Sequence, residues 1–442
     1  MDQYVVDTVL RVRLEHRPGQ LARLAAIIAH QAALIGEIRT IRVAETSTVR
    51  DIVVETIDEE HTKRVVEGIA REGIEILETR DHIFETHRGG KLHSSSRVPL
   101  NDLRDLRTIY TPGVARVSRA IERDPEAAWD LTGIGNSVGI FTNGTRVLGM
   151  GDIGPLASLP VMEGKAVLYD AFVGISATPI LIDTRDPGEF IETVVRVSRT
   201  FGGIHLEDIR IPDCFVIEEA LKKRLDKPVM HDDQHGTAVV TLAAIINACR
   251  LIGRDFKTSR LGQIGLGAAG SAIAALAIAY GAGQVMVTDL SEEAKRRMTA
   301  LGATATDFAT IMREADIVVA TTGKPGLIRP EMVRRGQVIF ALSNPSAEIT
   351  PSEAREAGAA YAGDGRSINN ALSFPGIFRG VLQTRSRAIT PAMLTAAAEA
   401  IAAAAEPGEV VPSPLNHAVH EAVTRVVAAE VMRAGLAGTA KP

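Results

Sequence analysis

Apolar and polar positions alternate at the start of the chain. Thr8, Leu10, Val12 and Leu14 fall on one side and Val9, Arg11 and Arg13 on the other, the period of a half-buried strand. Arg17-Pro18-Gly19-Gln20 then turns the chain. Leu21, Leu24, Ala25 and Ile28 follow at helical spacing, with Pro18 near the permitted first position of a helix. Strands are expected near Glu37–Val43 and Asp51–Ile57, a helix over Glu59–Arg71, and a last strand from Ile74 to Phe84. That order, β-α-β-β-α-β, is the ferredoxin-like arrangement. The polar, Gly/Ser-rich stretch His87–Arg97 reads as a linker. Strand and helix signals alternate from about 98 to 240, a βαβ run continues to about 385, and an Ala-rich helical tail follows Pro391. The whole is α/β, in three expected parts: 1–88, 89–240 and 241–442.

Composition narrows the partners. With 442 residues, 45% of them hydrophobic, the chain can bury a substantial core. A net charge of -5 and the lack of a long Lys/Arg run argue against a nucleic-acid partner. Cys214 and Cys249 lack metal-type spacing and suit a reducing compartment. The N-terminus lacks the pattern of a signal peptide, and no apolar run approaches the ~20 residues of a membrane span. The expectation is a cytoplasmic protein with no membrane partner.

Arg260–Ile264 reads as a strand running into Gly265-Leu266-Gly267-Ala268-Ala269-Gly270, a G-x-G-x-x-G that opens a small-residue helix. Gly265 allows the tight turn, Gly267 admits the pyrophosphate, and Gly270 lets helix and strand pack closely. The next strand, Gln284–Thr288, ends in Asp289, where an acid bonds the adenine ribose and repels a 2′-phosphate. NAD is therefore favoured, with Lys295, Arg296 and Arg297 keeping NADP open. Later strands are expected over Ala315–Gly323, which includes Thr322, and over Gln337–Leu342, ending in Ser343-Asn344-Pro345.

Several segments suit chemistry better than packing. Tyr110 stands on a Pro-Gly turn, Gly149–Gly154 is a glycine-rich loop, and Lys165 follows Gly164 at the start of an apolar segment. Glu207-Asp208 and Asp232-Asp233 supply the oxygen ligands that a hard cation such as Mg²⁺ or Mn²⁺ wants. His231 and His235 lack a third ligand in register, which makes zinc a weak reading.

Taken in order, Tyr110-Thr111-Pro112-Gly113-Val114, Gly149–Gly154, Glu163-Gly164-Lys165, Leu206-Glu207-Asp208, Asp232–Thr237, Ser343-Asn344-Pro345 and Asn369-Asn370 resemble the malic enzymes over roughly residues 98–385. The resemblance implies a substrate and metal domain followed by a Rossmann NAD(P)-binding domain. It implies Glu207, Asp208 and Asp233 as metal ligands, Lys165 as general base, Tyr110 as general acid and Asp232 as support for the lysine. Arg146 would grip a malate carboxylate, and Asn344 and Asn370 would contact substrate and nicotinamide. Thr322, with Asn344, would line the cofactor. The implied reaction is oxidation of L-malate and decarboxylation to pyruvate, with oxaloacetate decarboxylation expected as well. It requires the pKa of Lys165 to fall, by burial and a nearby cation. A malolactic enzyme and a two-domain amino-acid or hydroxyacid dehydrogenase are the alternatives. The first 88 residues resemble an ACT domain, which implies a small effector there. Compact bacterial members imply a homodimer or higher assembly.

Overall fold

Strand Val6–Glu15 pairs antiparallel with both Ser47–Thr56 and Glu75–Asp81, and Leu34–Val43 adds the far edge. Helices Gln20–His30 and Glu59–Arg71 cover this sheet, so the observed order is β-α-β-β-α-β. Leu10, Val12 and Leu14 meet Leu24, Ile28, Val65 and Ile69 in its core. Two expectations are corrected. Pro18 lies outside the first helix, which starts at Gln20 after Gly19 with φ +86°. The last strand stops at Asp81, because the Asp81 carboxylate accepts the Phe84 N–H at 2.9 Å and starts the helix His82–His87.

The structure, a computed structural model, describes residues 5–147 and 149–438. Its contacts divide the chain into two units, Met1–His93 and Ser94–Pro442. The second unit holds two parallel sheets. Ser176–Leu181, Ser137–Thr142, Gly203–Leu206 and Val229–His231 form the smaller one, in that spatial order. The six-stranded sheet runs Thr304–Ala305, Gln284–Thr288, Arg260–Ile264, Ile317–Ala320, Val338–Ala341, Tyr361–Asp364. Numbered along the chain this is the 3-2-1-4-5-6 order of the Rossmann fold, with its switch point between Arg260–Ile264 and Ile317–Ala320.

Helix Asp232–Leu251 buries fifteen of its twenty residues. Its Val239, Ala243 and Ile246 share one core with Val138 and Ile140 of the smaller sheet, Leu261 and Val319 of the larger, and Val419 and Val427 of the last helix. A helix buried all round needs no amphipathic stripe, which explains the near-continuous apolar run Ala238–Ile246. The boundary expected at 240 falls inside this helix. No described helix is long and apolar enough to cross a membrane.

Gly270 lies where helix Ala268–Tyr280 crosses the loop after Arg260–Ile264. A Cβ there would stand 2.0 Å from the Gly265 carbonyl oxygen and 2.5 Å from Thr321 Oγ1. Gly270→Ala should therefore destabilise the chain by about 1–3 kcal/mol. The expected result is a lower urea midpoint at unchanged m-value; a midpoint equal to wild type would mean that helix and strand are not held in this close contact.

Candidate active site

Lys165 lies in the middle of helix Gly154–Val173, not at the start of a segment as its sequence suggested. Its ammonium reaches Asp232 Oδ2 at 2.5 Å and Glu207 Oε1 at 3.1 Å, and stands 4.7 Å from the Phe374 ring centroid. Glu207 and Asp208 directly follow strand Gly203–Leu206, while Asp232 and Asp233 open the helix that follows Val229–His231. Neighbouring parallel strands thus deliver their acids to the same edge of the sheet, at their carboxyl ends. Asp208 takes φ +54°, a conformation that Asp tolerates better than most side chains. Its backbone N–H donates to Asp233 Oδ2 at 3.1 Å. One oxygen each from Glu207, Asp208 and Asp233 lies within 4.8 Å of the other two.

Crowding sets the charge states. Burial pushes the Asp208 carboxyl up, Glu207 and Asp233 push it further, and it reaches about 9. Burial and Glu207 raise Asp233 to about 7, although a third of its side chain stays open to solvent. Glu207 goes the other way: burial opposes its ionisation, but Lys165 and the bond from His205 hold it down at about 2. Asp208 Oδ2 is buried with no hydrogen-bond partner. Three crowded carboxyl groups, one with an orphaned oxygen, are a donor set that a hard divalent cation fits. The expected fall in the pKa of Lys165 is corrected for the chain by itself. Burial lowers it, but Asp232 and Glu207 raise it more, so the lysine is held as an ammonium.

The dinucleotide motif sits at the switch point. Gly265 has φ +87°, and its carbonyl oxygen accepts from Gln263 Nε2 at 3.0 Å and Thr321 Oγ1 at 3.1 Å. Helix Ala268–Tyr280 begins within the motif and presents its N-terminus, the usual seat of a pyrophosphate. Asp289 Oδ2 accepts the Leu266 N–H at 2.6 Å and Oδ1 accepts that of Ser291 at 2.8 Å, so this acid also braces the glycine turn. At the ends of the next two strands the Glu348 carboxylate, fully buried, accepts from Thr322 N at 2.6 Å, Thr322 Oγ1 at 2.8 Å and Ser343 Oγ at 2.6 Å. It ties the Thr322 loop to Ser343-Asn344.

Known proteins agree with this geometry. The profile of the malic enzyme N-terminal domain matches residues 89–222, and that of the malic enzyme NAD-binding domain matches 287–436. The NAD-binding domain of D-isomer-specific 2-hydroxyacid dehydrogenases matches 232–325. The chain is 52% identical to NAD-dependent malic enzyme 1 of Bacillus subtilis, over 93% of this chain and 94% of that protein. It is 38% identical to the NAD-dependent malic enzyme of Geobacillus stearothermophilus, over 98% and 96%. The chain belongs to the malic enzyme family. The crystal structure of the malic enzyme from Pyrococcus horikoshii superposes with a TM-score of 0.75 at 39% identity, covering 80% of this chain and 89% of that one.

In this malic enzyme, Lys165, Glu207, Asp208, Asp232 and Asp233 meet as one cluster. Asn370 joins it, donating to Asp232 Oδ2 at 3.1 Å and accepting from Thr237 Oγ1 at 3.1 Å. Arg146 touches the cluster through its backbone, whose N–H donates to the Asp208 carbonyl at 3.1 Å, while its side chain is exposed. Asn344 is exposed at the end of strand Val338–Ala341. Tyr110 is 66% exposed at the end of helix Leu103–Ile109, and among the described residues its hydroxyl has no hydrogen-bond partner. The structure does not join it to the cluster. Reading the sequence missed Glu218 and Tyr169, single residues inside ordinary helices, and His205 and Glu348, which stand just outside the quoted Leu206-Glu207-Asp208 and Ser343-Asn344-Pro345.

Glu218 is the clamp beneath the helix that carries Asp232 and Asp233. Its carboxylate accepts the His231 backbone N–H at 3.0 Å, lies 2.9 Å from His235 Nε2 and pairs with Lys222 at 2.9 Å. Burial opposes its ionisation, but His235 and Lys222 hold it well below the usual carboxylate range. A carboxylate whose folded pKa is depressed contributes stability above its unfolded value and loses it as pH falls. Glu218→Gln should cost about 3 kcal/mol near pH 7. The gap to wild type should shrink as pH drops below about 4.5. Urea titrations at several pH values measure this; a gap independent of pH would remove the charge from the explanation.

Proposed function

We propose that this malic enzyme oxidises L-malate with NAD and decarboxylates the product to pyruvate and CO₂, with a divalent cation held by Glu207, Asp208 and Asp233. The observation that carries the reading is Lys165, bridged between Asp232 and Glu207 beside that acid trio. Mg²⁺ or Mn²⁺ suits these oxygens. When bound, the cation would polarise the C2 oxygen and offset the carboxylate charge that now keeps Lys165 protonated. Lys165, once it has released its own proton to solvent, would receive the proton of the C2 hydroxyl as the C2 hydride passes to NAD, and Asp232 holds the amine in place. The exposed guanidinium of Arg146 grips a malate carboxylate through two parallel bonds. Asn370, already bonded to Asp232, and Asn344 orient substrate and nicotinamide.

Tyr110 has the role of proton donor to C3. Its segment is apolar yet open to solvent, with Leu100 61% and Leu103 81% exposed. That segment has to pack against a site, its own or a second copy's, for Tyr110 to act, in keeping with a homodimer or higher assembly. NAD is preferred to NADP because Asp289 closes the second strand and two of the three nearby cations are engaged, Arg296 being exposed. Lys295 pairs with Glu292 at 2.5 Å, and Arg297 stacks on Phe215 at 4.2 Å. The first unit is assigned as an ACT-like effector domain on its strand order and the open cleft beside Arg17, Gly19, Gln20 and Arg50. The enzyme would work in the cytoplasm.

The test is absorbance at 340 nm with L-malate, Mn²⁺ and either NAD or NADP, followed by assay of pyruvate and lactate. Expected are NADH and pyruvate in equal amounts, abolished by a chelator. Lactate without NADH would overturn the reaction assigned here. Lys165→Ala should lower kcat about 10²- to 10⁴-fold in protein that still melts cooperatively, at a lower temperature because Glu207 and Asp232 lose their partner; unchanged turnover would remove Lys165 from the mechanism.

A further inference from the structure

Strand Gly203–Leu206 puts a histidine two residues before the first acid of the trio. His205 is fully buried, so both ring nitrogens need partners inside the protein. Nε2 lies 2.5 Å from Glu207 Oε2, and Nδ1 lies 2.8 Å from the hydroxyl of Tyr169, itself fully buried. Nε2 is the ring atom that faces the Glu207 carboxylate, as the donor to an accepting oxygen. Nδ1 pairs with the Tyr169 hydroxyl at 2.8 Å, so the ring is anchored at both nitrogens with Nε2 facing Glu207.

Packing holds both rings. Tyr169 meets Phe374 edge-on at 4.8 Å, and His205 sits edge-on to Phe374 at 5.4 Å and stacked on Phe378 at 5.8 Å. Glu207 thus has one oxygen on His205 and the other on Lys165. Two donors on different oxygens fix the plane of the carboxylate and leave its remaining lone pairs for Asp208 and Asp233 to share a ligand with. His205, Glu207 and Asp232 are also near enough to one another to form a ligand set, but Lys165 already bridges Glu207 and Asp232.

We propose that Tyr169 and His205 are positioning residues that hold Glu207 in the orientation a divalent cation requires. This rests on the metal reading of Glu207, Asp208 and Asp233 given above. Without the imidazole, Glu207 is free to turn both oxygens onto Lys165 and away from the trio.

The experiment measures Mn²⁺ affinity of the full chain from the electron paramagnetic resonance signal of free Mn²⁺, with no substrate present. The variants are His205→Ala, His205→Gln and Tyr169→Phe, and thermal melting in chelator checks that each folds. His205→Ala should weaken Mn²⁺ binding about 10- to 100-fold. His205→Gln keeps an N–H near the position of Nε2 and should recover most of that loss. Tyr169→Phe removes only the hydroxyl and should weaken binding several-fold. Should His205→Ala prove too unstable, Tyr169→Phe and His205→Gln carry the test between them. Wild-type Mn²⁺ affinity in folded His205→Ala or Tyr169→Phe would overturn the positioning role while leaving the metal site standing. A wild-type chain that binds no Mn²⁺, or binds it undiminished in Asp208→Asn, would overturn this proposal together with the reading it rests on.

Discussion

The Lys165 ammonium, held between Asp232 and Glu207, is the constraint on which the site depends. It joins a helix interior, a strand end and a helix start that are far apart in sequence. A buried ion pair is a weak source of net stability, because desolvation offsets most of the attraction. Its value is geometric. Removing either partner leaves an uncompensated buried charge, so the three elements are strongly held to this one arrangement. Asn370 extends the same tie to the segment after strand Tyr361–Asp364, through its bond to Asp232.

Everything that must be rigid around this point is rigid for a reason visible in the packing. Asp232 and Asp233 open a helix buried along almost its whole length, so their backbone cannot drift. Glu218 clamps the first turn of that helix from below. Gly236 sits one turn further on, where a Cβ would stand 1.8 Å from Asp232 Oδ1. A larger residue would therefore evict the carboxylate that holds Lys165. Glu348 does for the Thr322 and Ser343 loops what Glu218 does for the helix, gathering donors from two segments onto one buried carboxylate. Arg146 and Asn344, the groups proposed above to meet substrate and nicotinamide, are exposed.

Legibility in the sequence follows from how local each feature is. The glycine turn was readable because strand, turn, helix and acid fall within thirty residues, Arg260–Asp289. The acid trio was readable because Leu206-Glu207-Asp208 and Asp232–Thr237 are compact strings that resemble a known family. The βαββαβ order of the first unit was readable from periodicity, but its last strand was overextended, since one Asp81 side chain decides where a helix takes over. Glu218, Glu348, His205 and Tyr169 could not be read. Each looks like any residue of an amphipathic helix, a strand or a loop until tertiary folding buries it against its partner. The upward pull on Lys165 in the chain by itself could not be read for the same reason: it depends on carboxylates contributed from distant segments.

The electrostatics explain why such a cluster persists despite its cost. Glu207, Asp208, Asp232 and Asp233 surround a single lysine, so the chain alone has more negative charge here than it neutralises. It responds by holding protons on Asp208 and Asp233 at pH values where free carboxyl groups have released them. A fold selected only for stability would replace one of these acids, because a crowded, half-satisfied polar cluster is worse than an apolar one. The surplus is in keeping with the cation proposed above. Three carboxyl oxygens within 4.8 Å of one another suit one small divalent ion. The same ion would relieve the field that holds Lys165 protonated. In the reading proposed above, the excess acid and the protonated lysine would have a single remedy, and cation binding would be coupled to the availability of the base.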